Sequence, residues 1–183
     1  MDHHIDITIR ENPEVPTTVL LNAVFAKLHK ALHDLGSTGI GVSFPNADKT
    51  LGGLLRLHGN SADLQTLQSF NWAKHTKQYF QNTAVLPVPN TAQYRVVSRL
   101  QPKLSEAKIR RLIKRGALKA TDVDAVRKKQ ANELLTHPYL ELTSNSNGHR
   151  HKRFIQVSEP LADPVTGRFD SFGLSKTATV PWF

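Results

Sequence analysis

The chain has 183 residues, a formal net charge of +9 and no cysteine. That length allows one large or two small domains with a real core, and the missing thiols exclude disulfides, Cys-ligated zinc and a cysteine nucleophile. No apolar run approaches the length of a membrane span, and the opening MDHHIDITIR is not a signal peptide, so a soluble protein of the cytoplasm is expected.

The elements read as follows in chain order. His3–Arg10 alternates, with Ile5, Ile7 and Ile9 on one face, and predicts a strand. Pro13 and Pro16 punctuate a turn and open a helix over Thr17–Leu35, whose apolar side is Leu20, Leu21, Val24, Phe25, Leu28, Leu32 and Leu35. Ile40–Phe44 and Leu54–His58 read as two more strands. Ser61 is the expected cap of a helix beginning SADLQTLQ, continued by a second helical piece through Trp72–Phe80. Ala84–Leu86 or Tyr94–Gln101 supplies a further strand. The order β-α-β-β-α-β is that of a ferredoxin-like or RNA-recognition-type domain, within an α+β class. Leu86–Gln93 reads as a linker, which divides the chain into a ferredoxin-like domain over 1–93 and a smaller domain over 94–183.

The charge follows that division. Residues 1–94 carry seven basic and seven acidic side chains, whereas residues 95–183 carry seventeen and eight. Such asymmetry suggests a scaffold half and a half that meets a polyanion. Between Tyr94 and Arg115 stand eight basic residues (Arg95, Arg99, Lys103, Lys108, Arg110, Arg111, Lys114 and Arg115) against the single acid Glu106. Ser105 is a suitable N-cap and Gly116 a suitable C′ residue, so Glu106–Arg115 predicts a short helix. Ile109, Leu112 and Ile113 form its narrow apolar stripe and the cations fill most of the remaining arc. Two readings fit such a helix: a groove-binding element for a nucleic acid, or a solvated surface with no partner.

Tyr94–Gln101, just before it, alternates like a strand and places Arg95, Val97, Arg99 and Gln101 on one face. Arg pairs bidentately with guanine and Gln with adenine, so Arg99 and Gln101 side by side suit base readout. The same pair equally suits a half-exposed strand with two surface polar residues. Further on, Thr121 caps a helix to about Leu135, and Tyr139–Thr143 and Lys152–Val157 read as strands flanking SNSNGHRH, where Asn147-Gly148 signals a tight turn. DPVTG marks another turn before Arg168–Phe172.

For chemistry, His29 sits at the edge of the first helix's apolar stripe, one turn after Phe25. Partial desolvation there tunes an imidazole for acid–base work, although an ordinary half-buried helix histidine has the same pattern. His29 and His33 stand at i, i+4, but no acidic residue completes a metal motif. Ser144 and Ser146 lie in a polar hairpin loop followed by the basic run His149, Arg150, His151, Lys152 and Arg153. The second half has no paired carboxylates at useful spacing, which argues against two-metal hydrolysis. A nuclease built from these residues would use the 2′-hydroxyl of RNA as its nucleophile, and would need a histidine and hydroxyls rather than metal ligands.

Several motifs occur together and in order: the MDH start, FAKLHKAL around His29, IGVSFP, YRVVSRLQPK before the Arg-rich helix, SNSNG, and FGLSK followed by VPWF. By these the chain resembles, nearly end to end, the CRISPR-repeat endoribonuclease of type I-F CRISPR–Cas systems, the Csy-four family. The resemblance implies a ferredoxin-like N-terminal domain, and a smaller C-terminal part carrying the Arg-rich helix and β-hairpins. It implies metal-independent, cofactor-free cleavage of precursor crRNA at the 3′ base of the repeat stem-loop. The upstream 2′-hydroxyl attacks, leaving a 2′,3′-cyclic phosphate and a 5′-hydroxyl. The product hairpin is then retained with the backbone subunits of a surveillance complex, the protein alone being a monomer.

Carried over by motif, His29 transfers the proton and Ser144 orients the ribose, with Ser146 assisting. Arg99 and Gln101 correspond to the base-reading pair near the foot of the stem. Arg111, Lys114 and Arg115 correspond to groove-binding arginines once one residue is deleted from the Arg run, and Lys103, Lys108, Arg110 and Lys176 join the RNA-contacting set. Two positions depart from the family. His151 stands where a base-stacking Phe is common, and Phe172 where a Tyr is often found, so a phenol hydroxyl is missing while ring packing remains. The alternatives are a non-catalytic RNA-hairpin-binding protein and a DNA-binding regulator; the latter gives His29 and the serine loop no task.

Overall fold

A computed structural model describes residues 1–101, 104–143 and 148–183. In the first half, β1 (His3–Ile9), α1 (Thr17–Asp34), β2 (Gly41–Ser43), β3 (Leu54–Gly59), α2 (Ser61–Ser69) and β4 (Phe80–Asn82) follow one another in the expected order. The strands lie in the order β2-β3-β1-β4, every pair antiparallel, and the two-residue β5 (Leu86–Pro87) adds to β1 beside His3 and His4. The alternation of β1 buries Ile5, Ile7 and Ile9, and the register sets Ile5 opposite Leu57 and Ile7 opposite Leu55. The 3.6-residue period of α1 buries Leu20, Leu21, Val24, Phe25, Leu28 and Leu32 in the same core.

Three local readings in the first half need correction. The cap of α2 is Asn60, whose side chain accepts from the Asp63 amide at 2.7 Å, rather than Ser61. The second helical piece is turns, with one 3-10 turn at Lys77–Tyr79, because Asn71 adopts φ 47° two residues after α2 ends. The strand beside β1 in the fourth place of the first sheet is β4 rather than Tyr94–Gln101, and of Ala84–Leu86 only Leu86 is in a strand, the short β5: β1 offers an edge opposite Ile7–Ile9, and Phe80 turns its ring into the core there.

The second half contains β6 (Gln93–Arg95), β7 (Val97–Leu100), α3 (Glu106–Lys114), α4 (Val123–Leu135), β8 (Tyr139–Thr143), β9 (Arg150–Val157) and β10 (Val180–Trp182). The stretch read as one strand over Tyr94–Gln101 is therefore two. β6 pairs with β10, while β7 joins a three-stranded sheet in the order β7-β9-β8. The changeover at Val96 separates Arg95 from Arg99. Arg95 donates to the Ser158 carbonyl at 3.0 Å and lies 5.2 Å from the Trp182 ring, a structural role.

Both halves feed one hydrophobic cluster that joins α1 and the first sheet to Val97, Leu140, Ile155, Phe169 and Val180. Polar ties cross as well. Asn22 of α1 accepts from the Glu141 amide of β8 at 3.1 Å, and the Val42 amide of β2 donates to the Gly173 carbonyl at 2.9 Å. The α+β class is as expected. Among the described residues no helix is long and apolar enough to cross a membrane.

Candidate active site and nucleic-acid interface

α1 places His29 on the rim of its buried stripe, and the ring is half-buried. Its Nδ1 lies 2.8 Å from the main-chain oxygen of Ser171. A carbonyl can only accept, so Nδ1 carries the proton and the neutral imidazole presents Nε2 as an unprotonated base. Burial pushes the His29 pKa below its ordinary value, the Ser171 carbonyl opposes that shift, and the nearby Arg153 adds to it. The neutral form is therefore favoured, which is the form a general base needs.

The loop that delivers Ser171 is built by Asp170 and Gly173. The Asp170 carboxylate accepts from the Phe172 amide at 2.8 Å and the Leu174 amide at 3.0 Å, and the Gly173 amide donates to the Asp170 carbonyl at 2.8 Å. Gly173 has φ +69°, and a Cβ there would stand 2.6 Å from Cγ1 of Val42. Only glycine allows both the left-handed turn and the close approach to β2. The turn aims Phe172 at His29: the rings stack with centroids 3.6 Å apart and planes 11° from parallel. The expected ring packing at this position is present without a phenol hydroxyl.

Arg99 and Gln101, at the end of β7, are exposed and line one cleft of ≈ 560 Å³ together with Arg153, Arg168, Ser175 and Lys176. Val97, two residues before Arg99 on the same face, is buried, so that face passes from core to cleft along the strand. The cleft thus brings together Arg99, Gln101 and Lys176 from the expected set. Phe172 packs beside it through Arg153, whose Cζ lies 3.5 Å from the Phe172 ring centroid.

α3 forms as its caps predict. Ser105 accepts from the Lys108 amide at 3.3 Å. At the other end the Gly116 amide bonds to the Ile113 carbonyl and the Ala117 amide to that of Leu112, with φ +70° at Gly116, a Schellman closure. Ile109 is buried, whereas Lys108, Arg110, Arg111, Lys114 and Arg115 are all exposed. Its acid, Glu106, is held by Arg127 of α4 at 2.8 Å, so it does not offset the helix's own cations. His151 is exposed on β9 opposite Leu142. Ser144, Ser146 and Lys103 lie outside the described residues, between β8 and β9 and between β7 and α3. Among the described residues no group of three His, Asp or Glu side chains is placed to hold a metal ion.

The sequence reading missed several participants: the Ser171 carbonyl, Asp170, Arg168 and Ser175, and it gave Arg153 no task beyond a basic run. Asp170 had a local signal, since an Asp three residues before a glycine commonly builds such a turn. The Ser171 contribution is main-chain and left no signal.

A half-buried neutral imidazole, an arginine-lined cleft and an exposed cationic helix on an α+β frame are features that suit engagement of a polyanion. The chain belongs to the family described as CRISPR-associated protein (Cas_Csy4), whose model matches residues 4–183. It is 41% identical over 186 residues to a CRISPR-associated endonuclease Cas6/Csy4 of Escherichia coli (strain UTI89 / UPEC), covering 100% of both chains. It is 35% identical over 187 residues to a protein of the same description from Pseudomonas aeruginosa (strain UCBPP-PA14), again over 100% of both.

Proposed function

We propose that this chain is a metal-independent endoribonuclease that binds the stem-loop of a CRISPR repeat and cuts precursor crRNA at the 3′ base of the hairpin. In this reading the 2′-hydroxyl upstream of the cut attacks phosphorus as His29 Nε2 takes its proton. The bond to the 5′-oxygen breaks and that oxygen takes up a proton from water, leaving a 2′,3′-cyclic phosphate and a 5′-hydroxyl. Ser144 orients the ribose and Ser146 assists. Arg99 and Gln101 read bases at the foot of the stem. Lys103, Lys108, Arg110, Arg111, Lys114 and Arg115 engage groove phosphates, and His151 and Lys176 contact the flanking strand. Phe172 keeps the His29 ring in place. Residues 1–93 thus supply proton transfer and residues 94–183 most of the RNA contacts. The product hairpin stays bound, and the protein, a monomer alone in the cytoplasm, carries it into a surveillance complex.

The observation that carries this reading is the neutral His29, its Nδ1–H committed to Ser171, linked through the Phe172 ring and Arg153 to the cleft of Arg99 and Gln101. Membership of a family with named endonucleases supports the reaction class. The test is incubation with the host's repeat RNA in EDTA. Shortening to a hairpin with a cyclic phosphate end is expected. A gel shift without shortening establishes the hairpin-binding alternative instead.

A further inference from the structure

Arg153, on β9, is 8% exposed, a nearly buried cation. Among the described residues no carboxylate forms an ion pair with it, and its Nε–H is buried with no hydrogen-bond partner. Burying an unpaired guanidinium is unfavourable unless another group compensates. Burial and the neighbouring Arg99 both lower the Arg153 pKa, and Asp170 opposes them. Asp170 is itself engaged by the Phe172 and Leu174 amides. Arg168 and Lys176 add two more cations to the same cleft.

What Arg153 does touch is Phe172. Its Cζ lies 3.5 Å from the ring centroid, and the His29 ring lies 3.6 Å from the same centroid. Two groups so close to the centre cannot share a face, so Phe172 is sandwiched between imidazole and guanidinium. Stacking uses the face of a guanidinium and leaves its N–H edge free for bidentate bonding to an oxyanion. Arg153 also lines the cleft that holds Arg99 and Gln101.

We infer that Arg153 is a phosphate-binding residue: through its N–H edge it takes an RNA phosphodiester beside the scissile one, holding the strand in register one ring away from His29. The phosphate is a neighbour rather than the scissile group because Phe172 stands between Arg153 and the imidazole. This rests on the RNA reading above, and deepens it by giving the cleft an anion subsite that sets the strand's position.

The probe is the repeat hairpin with its flanking nucleotides, carrying 2′-deoxyribose upstream of the cut so that binding is read without cleavage. Each phosphodiester near the foot of the stem is replaced in turn by a neutral methylphosphonate. For the wild type, one linkage adjacent to the cut should weaken binding about tenfold when neutralised. With Arg153→Met, which keeps an apolar stem against Phe172, the same replacement should cost nothing further. Arg153→Gln, planar and neutral, should behave likewise, and whichever variant keeps the wild-type melting temperature decides the comparison. Equal losses in wild type and variant at every linkage overturn the assignment and leave Arg153 a packing residue. Cleavage of the all-ribose hairpin is measured alongside. A wild type that fails to cut but shows the Arg153-dependent linkage removes the enzymatic reading and leaves the phosphate subsite standing.

Discussion

His29 and Phe172 lie face to face, their ring centroids 3.6 Å apart, and they come from α1 and from a loop near the end of the chain. The stack fixes the plane of the imidazole, and the Ser171 bond decides which of its nitrogens carries the proton. Its consequences for rate and for pH can be measured separately from those of the cationic surfaces around it.

His29→Ala should remove a proton-transfer group while leaving the arginines in place. Single-turnover cleavage of the repeat hairpin should fall by about 10²–10⁴-fold, and hairpin affinity should change little. Affinity lost in parallel with cleavage, measured by filter binding, would show that His29 is structural.

The pH dependence carries a sign. Burial lowers the His29 pKa from its ordinary 6.5, so the neutral base persists into mildly acidic solution. The cleavage rate should stay on its plateau as pH falls to the ordinary imidazole value, and drop only below it. Phe172→Ala exposes the ring and should move that acid limb to higher pH. A pH–rate profile unchanged by Phe172→Ala separates the stack from the chemistry.

The basic helix and the reading strand should fail differently. Phosphate contacts act on any sequence and weaken with salt, whereas base contacts act on one sequence. Arg111→Ala and Arg115→Ala should weaken binding to every stem-loop of similar shape and flatten the salt dependence. Arg99→Ala and Gln101→Ala should instead lower discrimination at the foot of the stem, by about tenfold or more given about 1–3 kcal/mol per bidentate base contact. The altered pair must be near the helix end, because the A-form major groove is too narrow to read at mid-stem. If Arg99→Ala weakens cognate and altered hairpins equally, Arg99 is another phosphate clamp.

Acid should destabilise the fold through His58. This side chain is fully buried on β3, 2.8 Å from the Ser43 hydroxyl, and burial holds its pKa well below 6.5, with Arg56 and His4 pushing the same way. The folded value is depressed, so its contribution is intact above the unfolded value and is lost as pH falls below it, where the unfolded chain takes up a proton first. The melting temperature should therefore begin to drop as pH falls through the ordinary imidazole value of 6.5 and keep dropping below it, and His58→Gln should show a shallower drop. Equal slopes for both proteins assign the acid sensitivity elsewhere.

What the sequence determined by itself was whatever local chemistry decides. The seven-residue apolar stripe of α1 placed His29 on a rim, Ser105 and Gly116 bounded α3, and the hairpin of β8 and β9 was readable within two residues. Each depends on neighbours a few positions away: side-chain period, cap donors, turn residues. The α+β class followed from the order of these pieces.

Tertiary structure alone decided the rest. The division of Tyr94–Gln101 into β6 and β7 depends on β10 and β9, strands more than fifty residues downstream, and nothing in the stretch itself marks the changeover at Val96. The edge strand β4 was chosen by the open edge of β1, which is a property of the sheet. His29 owes its tautomer to a main-chain oxygen 142 residues away, a group every residue possesses and no sequence can single out. Arg153 looked like one cation in a basic run. Only packing against Phe172 shows it buried and, among the described residues, without an ion-pair partner, because a charge's partners are set by the surfaces that fold against it rather than by its neighbours in the chain.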